Sequence, residues 1–359
     1  MIPETMIPET VTPQRTDSHT VNPWFQVVLM LITSLAVAII IYFTLQRFQS
    51  FETHKSTTSL SEKAVLFVSQ KAEVPVIESG VFVRDISNFD SVHGKFSADL
   101  LVWFHFNPSL ISPELVGKFV LERAEEKNRS DAIVQVSTKD DYVVKYYVRL
   151  NYALPFNYVE FPVDDHRINF VLTNYFLDSS KARFETSEKF IILNPDIQIE
   201  GWKILQKSAQ VGYLESPVSI DSPEKTIYYP RMVFGFDLER DGIRQVLSTV
   251  LPLLVIFFTA LFTFAINPVD TDYYNVIALS VASVMALIAY RFVIETVSPA
   301  TGYFTISDYI FLFFLILTLI ILFINTLGTK ISSYQKSVMT VLLHVATIVV
   351  FALLFRPWL

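Results

Sequence analysis

The residues best suited to chemistry lie between Asp270 and Asp308. Residues 274–294 form an apolar run that, at about 1.5 Å per residue, can cross a hydrocarbon core of about 30 Å. Small and polar side chains interrupt it: Ala278, Ser280, Ala282, Ser283, Ala286, Ala289, Tyr290 and Arg291. A helix facing lipid all round has no reason to carry these, because polar groups are costly in hydrocarbon and turn toward a bundle interior or water. Asp270 and Asp272 precede the run and Glu295 follows it. Such a helix reads as the wall of an ion pathway. Repeated around a symmetric ring, the three carboxylates make both mouths negative and favour cations. The plainer reading of these acids is ordinary helix-end charge.

Other reactive groups lead elsewhere. Asp164, Asp165 and His166 are a consecutive trio on a turn without spaced partners, so structural use is favoured over metal binding. Glu125 and Glu126 read as a solvated pair. His344, midway along the last apolar run, reads as a helix-to-helix hydrogen-bonding residue, with a proton sensor as the alternative. Asn128-Arg129-Ser130 fits a glycosylation acceptor pattern, a short match that carries little weight alone. No GxSxG, HExxH, Walker A or GxGxxG arrangement is present, so neither an enzyme nor a cofactor is expected. The absence of cysteine removes disulfides, thiolate nucleophiles and Cys-ligated zinc. A formal charge of −7 with no basic patch argues against nucleic acid as a partner.

The elements that must position these residues follow from composition. A chain of 359 residues that is 52% hydrophobic, with 31 Phe, is too apolar for an ordinary soluble protein. Its apolar residues cluster in five runs, 24–43, 247–266, 274–294, 309–327 and 338–355. Residues 1–23 open with the direct repeat MIPETMIPET and read as a disordered tail, with Met6 as an alternative start. Residues 24–46 are a transmembrane anchor or signal segment. The long, hardly basic tail and the lack of an Ala-x-Ala site favour an uncleaved anchor. Residues 47–73 are a linker, with a short amphipathic helix suggested by Leu60, Ala64, Val65 and Val68.

Across 74–240 the period changes to two. GVFVRDISNF, KFSADLLVWFHF, AIVQVST, YVVKYYVRLNYAL, RINFVLTNYF and TIYYPRMVFGFDL indicate short strands of a β-sandwich or barrel. The charged stretch 113–128 looks helical. Residues 241–359 then hold four membrane helices. With the β domain outside, Lys330 and Lys336 fall in an inner loop, while the outer loop 297–308 has no Lys or Arg.

Five stretches carry a family resemblance over about residues 79–359. They are SGVFVRDISNFDSVHGKFSADLLVWF, PFNYVEFPVDDHRINF, the Gly201-Trp202 pair, ERDGIRQVLSTVLP with Arg240 and Pro252, and AYRFVIETVSPATGYFTISD. In this order they resemble the pentameric ligand-gated ion channels, the Cys-loop receptor superfamily, and most of all its prokaryotic members, which lack the disulfide. The resemblance implies a β-sandwich extracytoplasmic domain plus an all-α four-helix transmembrane domain, here with an additional N-terminal helix. It implies a homo-oligomer, a pentamer, in membrane lipid, passing monovalent cations and gated by an unknown small ligand or proton. The implied location is a bacterial inner membrane with the β domain in the periplasm or outside.

The family register turns Ala278, Ala282, Met285, Ala289 and Phe292 toward the axis, with Ser280, Ser283 and Arg291 on an adjacent face. Either the polar face is rotated inward, or the constriction is apolar and closes by dewetting, with Met285 and Phe292 as rings. Arg291 is expected to snorkel or pair with Glu295. Domain coupling would rest on Pro162, which fixes φ in a turn, and on a partly desolvated Asp164–Arg240 pair, with Asp90 as a third member. The family's Trp-x-Pro stretch is missing from 107–145. Tyr228 and Tyr229 would lie on the capping loop of a ligand pocket, with Trp202 nearby, although all three also suit a core or interface. The competing class is a non-conducting membrane sensor or interaction protein that keeps this architecture.

Overall fold

The computed structural model describes residues 20–46, 74–217, 226–240, 243–266 and 273–355. Their described parts gather into two compact units: residues 1–44, 250–293 and 308–359 in one, and 45–249 and 294–307 in the other.

The second unit is built on two β-sheets. Strands β1 (Val76–Asp90), β2 (Lys95–Phe106), β4 (Ala124–Arg129), β5 (Ile133–Ser137), β6 (Tyr142–Ala153), β8 (Arg183–Glu185) and β9 (Ile191–Leu193) make a seven-stranded sheet ordered β4-β6-β2-β1-β8. In that sheet β5 also pairs β6, and β9 also pairs β1. Strands β3 (Val120–Leu121), β7 (His166–Thr173), β10 (Trp202–Pro217) and β11 (Thr226–Arg240) make a four-stranded sheet ordered β10-β11-β7-β3. The period-two pattern does the sorting. On β2 every second residue from Phe96 to Phe106 is buried, and β6 answers with Val144, Tyr146, Val148, Leu150 and Tyr152. These meet Phe170, Phe234 and Phe236 of the other sheet in one core. On the outward face Asp99 accepts both Arg149 Nε at 2.8 Å and Nη2 at 2.7 Å across the β2–β6 pair.

The charged stretch 113–128 departs from the helical expectation. Only the five residues Pro113–Gly117 are helical (α2), and the remainder is β3, a turn at Arg123 and β4. The physical reason is tertiary. Phe119 and Leu121 alternate into the core, and the charges of β4 sit on a sheet edge, where they deter pairing with a foreign strand.

The first unit is helical and holds most of α1 (Pro23–Gln46), α3 (Arg244–Phe262), α4 (Tyr273–Val297) and α5 (Ile306–Thr326) and all of α6 (Ser333–Leu354); the ends 45–46, 244–249, 294–297 and 306–307 belong to the second. All five are long and apolar enough to cross a membrane. Hydrogen bonds set their directions. Val21 N–H donates to Phe264 O at 3.0 Å and Gln26 Nε2 to Leu261 O at 3.1 Å, so α1 starts where α3 ends. Thr33 Oγ1 lies 2.8 Å from His344 Nδ1, and Thr44 Oγ1 donates to Phe355 O at 3.0 Å. Both pairs are 311 positions apart, so α1 and α6 run parallel in register. Tyr273 Oη donates to Asn325 O at 2.7 Å at one end of the α4–α5 pair, and Arg291 donates to Asp308 at the other. Asn325 Nδ2 also reaches Thr263 Oγ1 at 2.7 Å, and the Phe257 and Phe314 rings are 5.2 Å apart, so α3 and α5 are parallel. Helices α3 to α6 therefore alternate in direction. The last helix starts earlier than its apolar run because Ser332 and Gln335 form a capping box.

Candidate functional sites

Helix α4 divides its residues sharply. Ala278, Ala282, Met285, Ala289 and Phe292 are all exposed, Met285 at 61% and Phe292 at 67%. The opposite face is buried and carries the hydroxyls. Ser280 Oγ donates to Val276 O at 2.9 Å and accepts Asn325 Nδ2 at 2.7 Å, while Ser283 Oγ donates to Leu279 O at 3.0 Å. Between Ala278 and Phe292 every exposed residue is apolar. Arg291 donates to Asp308 on α5, and Glu295 is exposed at the end of the helix. Asp270 and Asp272 lie outside the described residues.

The second site is the segment between β6 and β7. Asp164 is 1% exposed and receives Arg240 Nη2 at 3.1 Å on Oδ1 and 3.0 Å on Oδ2. His166, fully buried, stacks on Phe156 at 4.3 Å and leans on Trp202 at 5.0 Å. Its Nε2 is 2.9 Å from Asp164 Oδ2, though off the line of a good hydrogen bond. Burial alone would raise the Asp164 pKa, but His166 and Arg240 outweigh it and hold the carboxyl below its ordinary value. The Arg240 guanidinium lies 4.4 Å over the Trp202 ring.

The same segment holds the 298–305 loop, which belongs to the same unit. Tyr158 N–H donates to Tyr303 Oη at 3.0 Å. Ile306 N–H donates to Val159 O at 3.0 Å and Ser307 N–H to Phe161 O at 3.1 Å. These are first-turn amides of α5, which have no acceptor within their own helix. The carbonyls on either side of Glu160, next to Pro162, therefore complete the helix start.

Asp90 is not brought to Asp164 and Arg240. It accepts the Val92 and His93 amides at 3.0 and 3.1 Å, and His93 Nδ1 lies 2.7 Å from its Oδ2. The two turns meet through Tyr158, whose hydroxyl donates to Ser91 O. An Asx-type turn uses its carboxylate locally, which removes it from the pair.

Trp202 is likewise separated from Tyr228 and Tyr229. In the β10–β11 hairpin Trp202 faces Arg240, whereas Tyr228 and Tyr229 face Glu215 and Leu214, a dozen residues or about 40 Å along the strand. Tyr229 instead packs on Tyr175 at 5.3 Å. Tyr175 Oη is 3.4 Å from Glu122, which pairs with Arg231 and accepts Thr173 Oγ1 at 2.5 Å. No sequence signal pointed to Glu122, Arg231 or Tyr175, because strands far apart in the chain bring them together. Among the described residues no group of three or more His, Cys, Asp or Glu side chains could hold a metal ion.

In comparisons with known proteins, no family model matches the chain and no curated protein sequence matches it.

Proposed function

We propose that the protein is a membrane ion channel, assembled from five copies, in which α4 lines the conducting path and the two-sheet unit is an extracytoplasmic sandwich that receives the gating signal. The observation that carries this reading is the outward stripe of α4. A span that keeps its hydroxyls for its own subunit and turns Ala278, Ala282, Met285, Ala289 and Phe292 away from it is shaped for close approach to other copies. Five such stripes around an axis leave rings of Met285 and Phe292 as the narrow points, so the gate is apolar and closes by dewetting. The buried hydroxyls argue against a polar face turned to the axis. Glu295 supplies negative charge at one mouth, and cations are the favoured permeants.

Transmission runs through the chain itself. The 298–305 loop and the first amides of α5 are hydrogen-bonded to Tyr158, Val159 and Phe161 beside the Asp164–Arg240 pair. A small ligand or proton that reorients the sandwich moves this loop, and the loop continues directly into α4 and α5. The signal needs only a differential affinity of a few kcal/mol for the two states. The resemblance to the prokaryotic pentameric ligand-gated channels supports the same reading, with a bacterial inner membrane as the setting.

One observation favours a second reading. An outward stripe without a hydroxyl also suits a non-conducting membrane sensor of the same architecture. Planar-bilayer recording of purified protein, across pH and with small ligands, compares the native chain with Met285→Ser. A channel gains conductance or altered gating from a hydroxyl at the narrowest ring. Silence from both proteins under every condition contradicts conduction.

A further inference from the structure

Helix α4 has little in its apolar content to decide which side it turns inward. Its buried side offers Val276, Val284 and Leu287, and its exposed side Val281, Met285 and Ile288. Lipid tails are as apolar as these side chains, so a span gains little by burying one set over the other. Directional bonds must choose instead.

One such bond comes from Asn325, next to last in α5. Asn325 is 2% exposed, and its Nδ2 donates to Ser280 Oγ of α4 and to Thr263 Oγ1 in the 3₁₀ turn that ends α3, both at 2.7 Å. Neither hydroxyl is free to donate in return. Ser280 Oγ gives its proton to Val276 O at 2.9 Å, and Thr263 Oγ1 gives its own to Ala260 O at 2.5 Å. The amide is thereby oriented, with both of its protons used. Its Oδ1 is buried with no hydrogen-bond donor among the described residues. A leucine of similar size would remove that lone acceptor and leave both hydroxyls bonded within their own helices. Stability is therefore a poor reason for an amide here. The best-attested use of a buried asparagine is to fix one register between helices at a cost in stability.

The other tethers from α4 to α5 have more play. Tyr273 Oη donates to the Asn325 and Thr326 carbonyls at 2.7 and 2.9 Å, and Arg291 donates to Asp308. Both reach across with long side chains, which can follow a modest turn of the helix. Asn325 and Ser280 are short and in direct contact, so a turn of α4 breaks their bond. We infer that Asn325 is a positioning residue that sets the rotation of α4 about its own axis, and with it which residues α4 turns outward. The inference rests on the packing of α3, α4 and α5 and not on conduction.

The full chain in detergent provides the test. It lacks cysteine, so single cysteines at Ala282, Ser283, Ala286 and Leu287 sample two exposed and two buried positions of α4. A neutral maleimide should label the exposed pair on the order of tenfold faster, because a buried thiol reacts only through local opening. Asn325→Leu should bring the two pairs to within about threefold of each other without lowering the thermal midpoint. Ser280→Ala, the milder change, should narrow the contrast in the same way, and the double variant should go no further than either alone. A native contrast kept in both single variants overturns the inference, whatever the midpoint does. Equal labelling of all four positions in the native chain overturns it as well. Loss of contrast only alongside a collapsed midpoint marks general loosening and also overturns it. Silence in the bilayer recording bears on conduction and leaves the labelling result untouched.

Discussion

Arg240 answers a carboxylate that water scarcely reaches, and its removal strands that charge. Arg240→Met should lower stability by about 3–5 kcal/mol, read as a large fall in thermal midpoint in detergent, while Arg240→Lys, which cannot span both oxygens, falls between. The pH sign follows from the Asp164 shift. A depressed pKa contributes stability that is present above the ordinary carboxylate value and lost as pH falls through the folded-state value, so this part disappears below about pH 4. His105 works in the opposite direction. Its Nδ1 lies 2.9 Å from Glu78 on β1 and its Nε2 2.7 Å from Asp141 before β6. The Glu78 bond leads in raising its pKa, with Asp141 adding to it. Stability from this bridge is present below the ordinary histidine value and lost as pH rises through the raised one. At half-exposed sites the effect is on the order of 0.5 kcal/mol, and His105→Gln should flatten the stability profile between about pH 6 and 8. The Asp164–Arg240 pair was expected through the family resemblance, which couples the turn after Pro162 to an arginine ahead of the first helix of the C-terminal set. The remoteness of Trp202 from Tyr228 and Tyr229 was not, since hairpin register depends on pairing along the full strand and not on residue type.

Elements were easier to read where a period ran unbroken. The five apolar runs and the strands β1, β2, β6, β7 and β11 announce themselves by hydropathy and alternation. The 113–128 stretch misled because helix-forming Glu, Lys and Arg also suit a solvated sheet edge. The place of α1 could be inferred only in outline, since its apolar length alone fits an anchor or a signal. Its contacts say more: Gln26, Thr33 and Thr44 each bond to another helix. A span held in this way should remain in the mature protein, and an intact-mass measurement should include residues 24–46. Thr33→Val should cost about 0.6–1.7 kcal/mol, because it leaves His344 with a lost hydrogen bond in a nonpolar setting. A mature mass that starts after residue 46 would contradict this role for α1.

At the scale of the whole molecule, the account needs several copies. Between Ala278 and Phe292, α4 turns only apolar residues outward, and in the proposed ring of five these would pack around an axis. Light scattering or particle imaging in detergent should therefore give a pentamer, and monomers would remove the basis for a pore. The absence of cysteine offers a direct probe of what the stripe faces, because each introduced thiol is the only one present. Single cysteines at Ala278, Ala282, Met285, Ala289 and Phe292 would be exposed in liposomes to a charged, membrane-impermeant thiol reagent, with Ser280 and Ser283 as buried controls. The account predicts modification along the stripe with a period of three to four residues, and little at the two serine positions. Stripe thiols that react only with a lipid-soluble reagent would show that this face meets hydrocarbon, and the channel reading would fall.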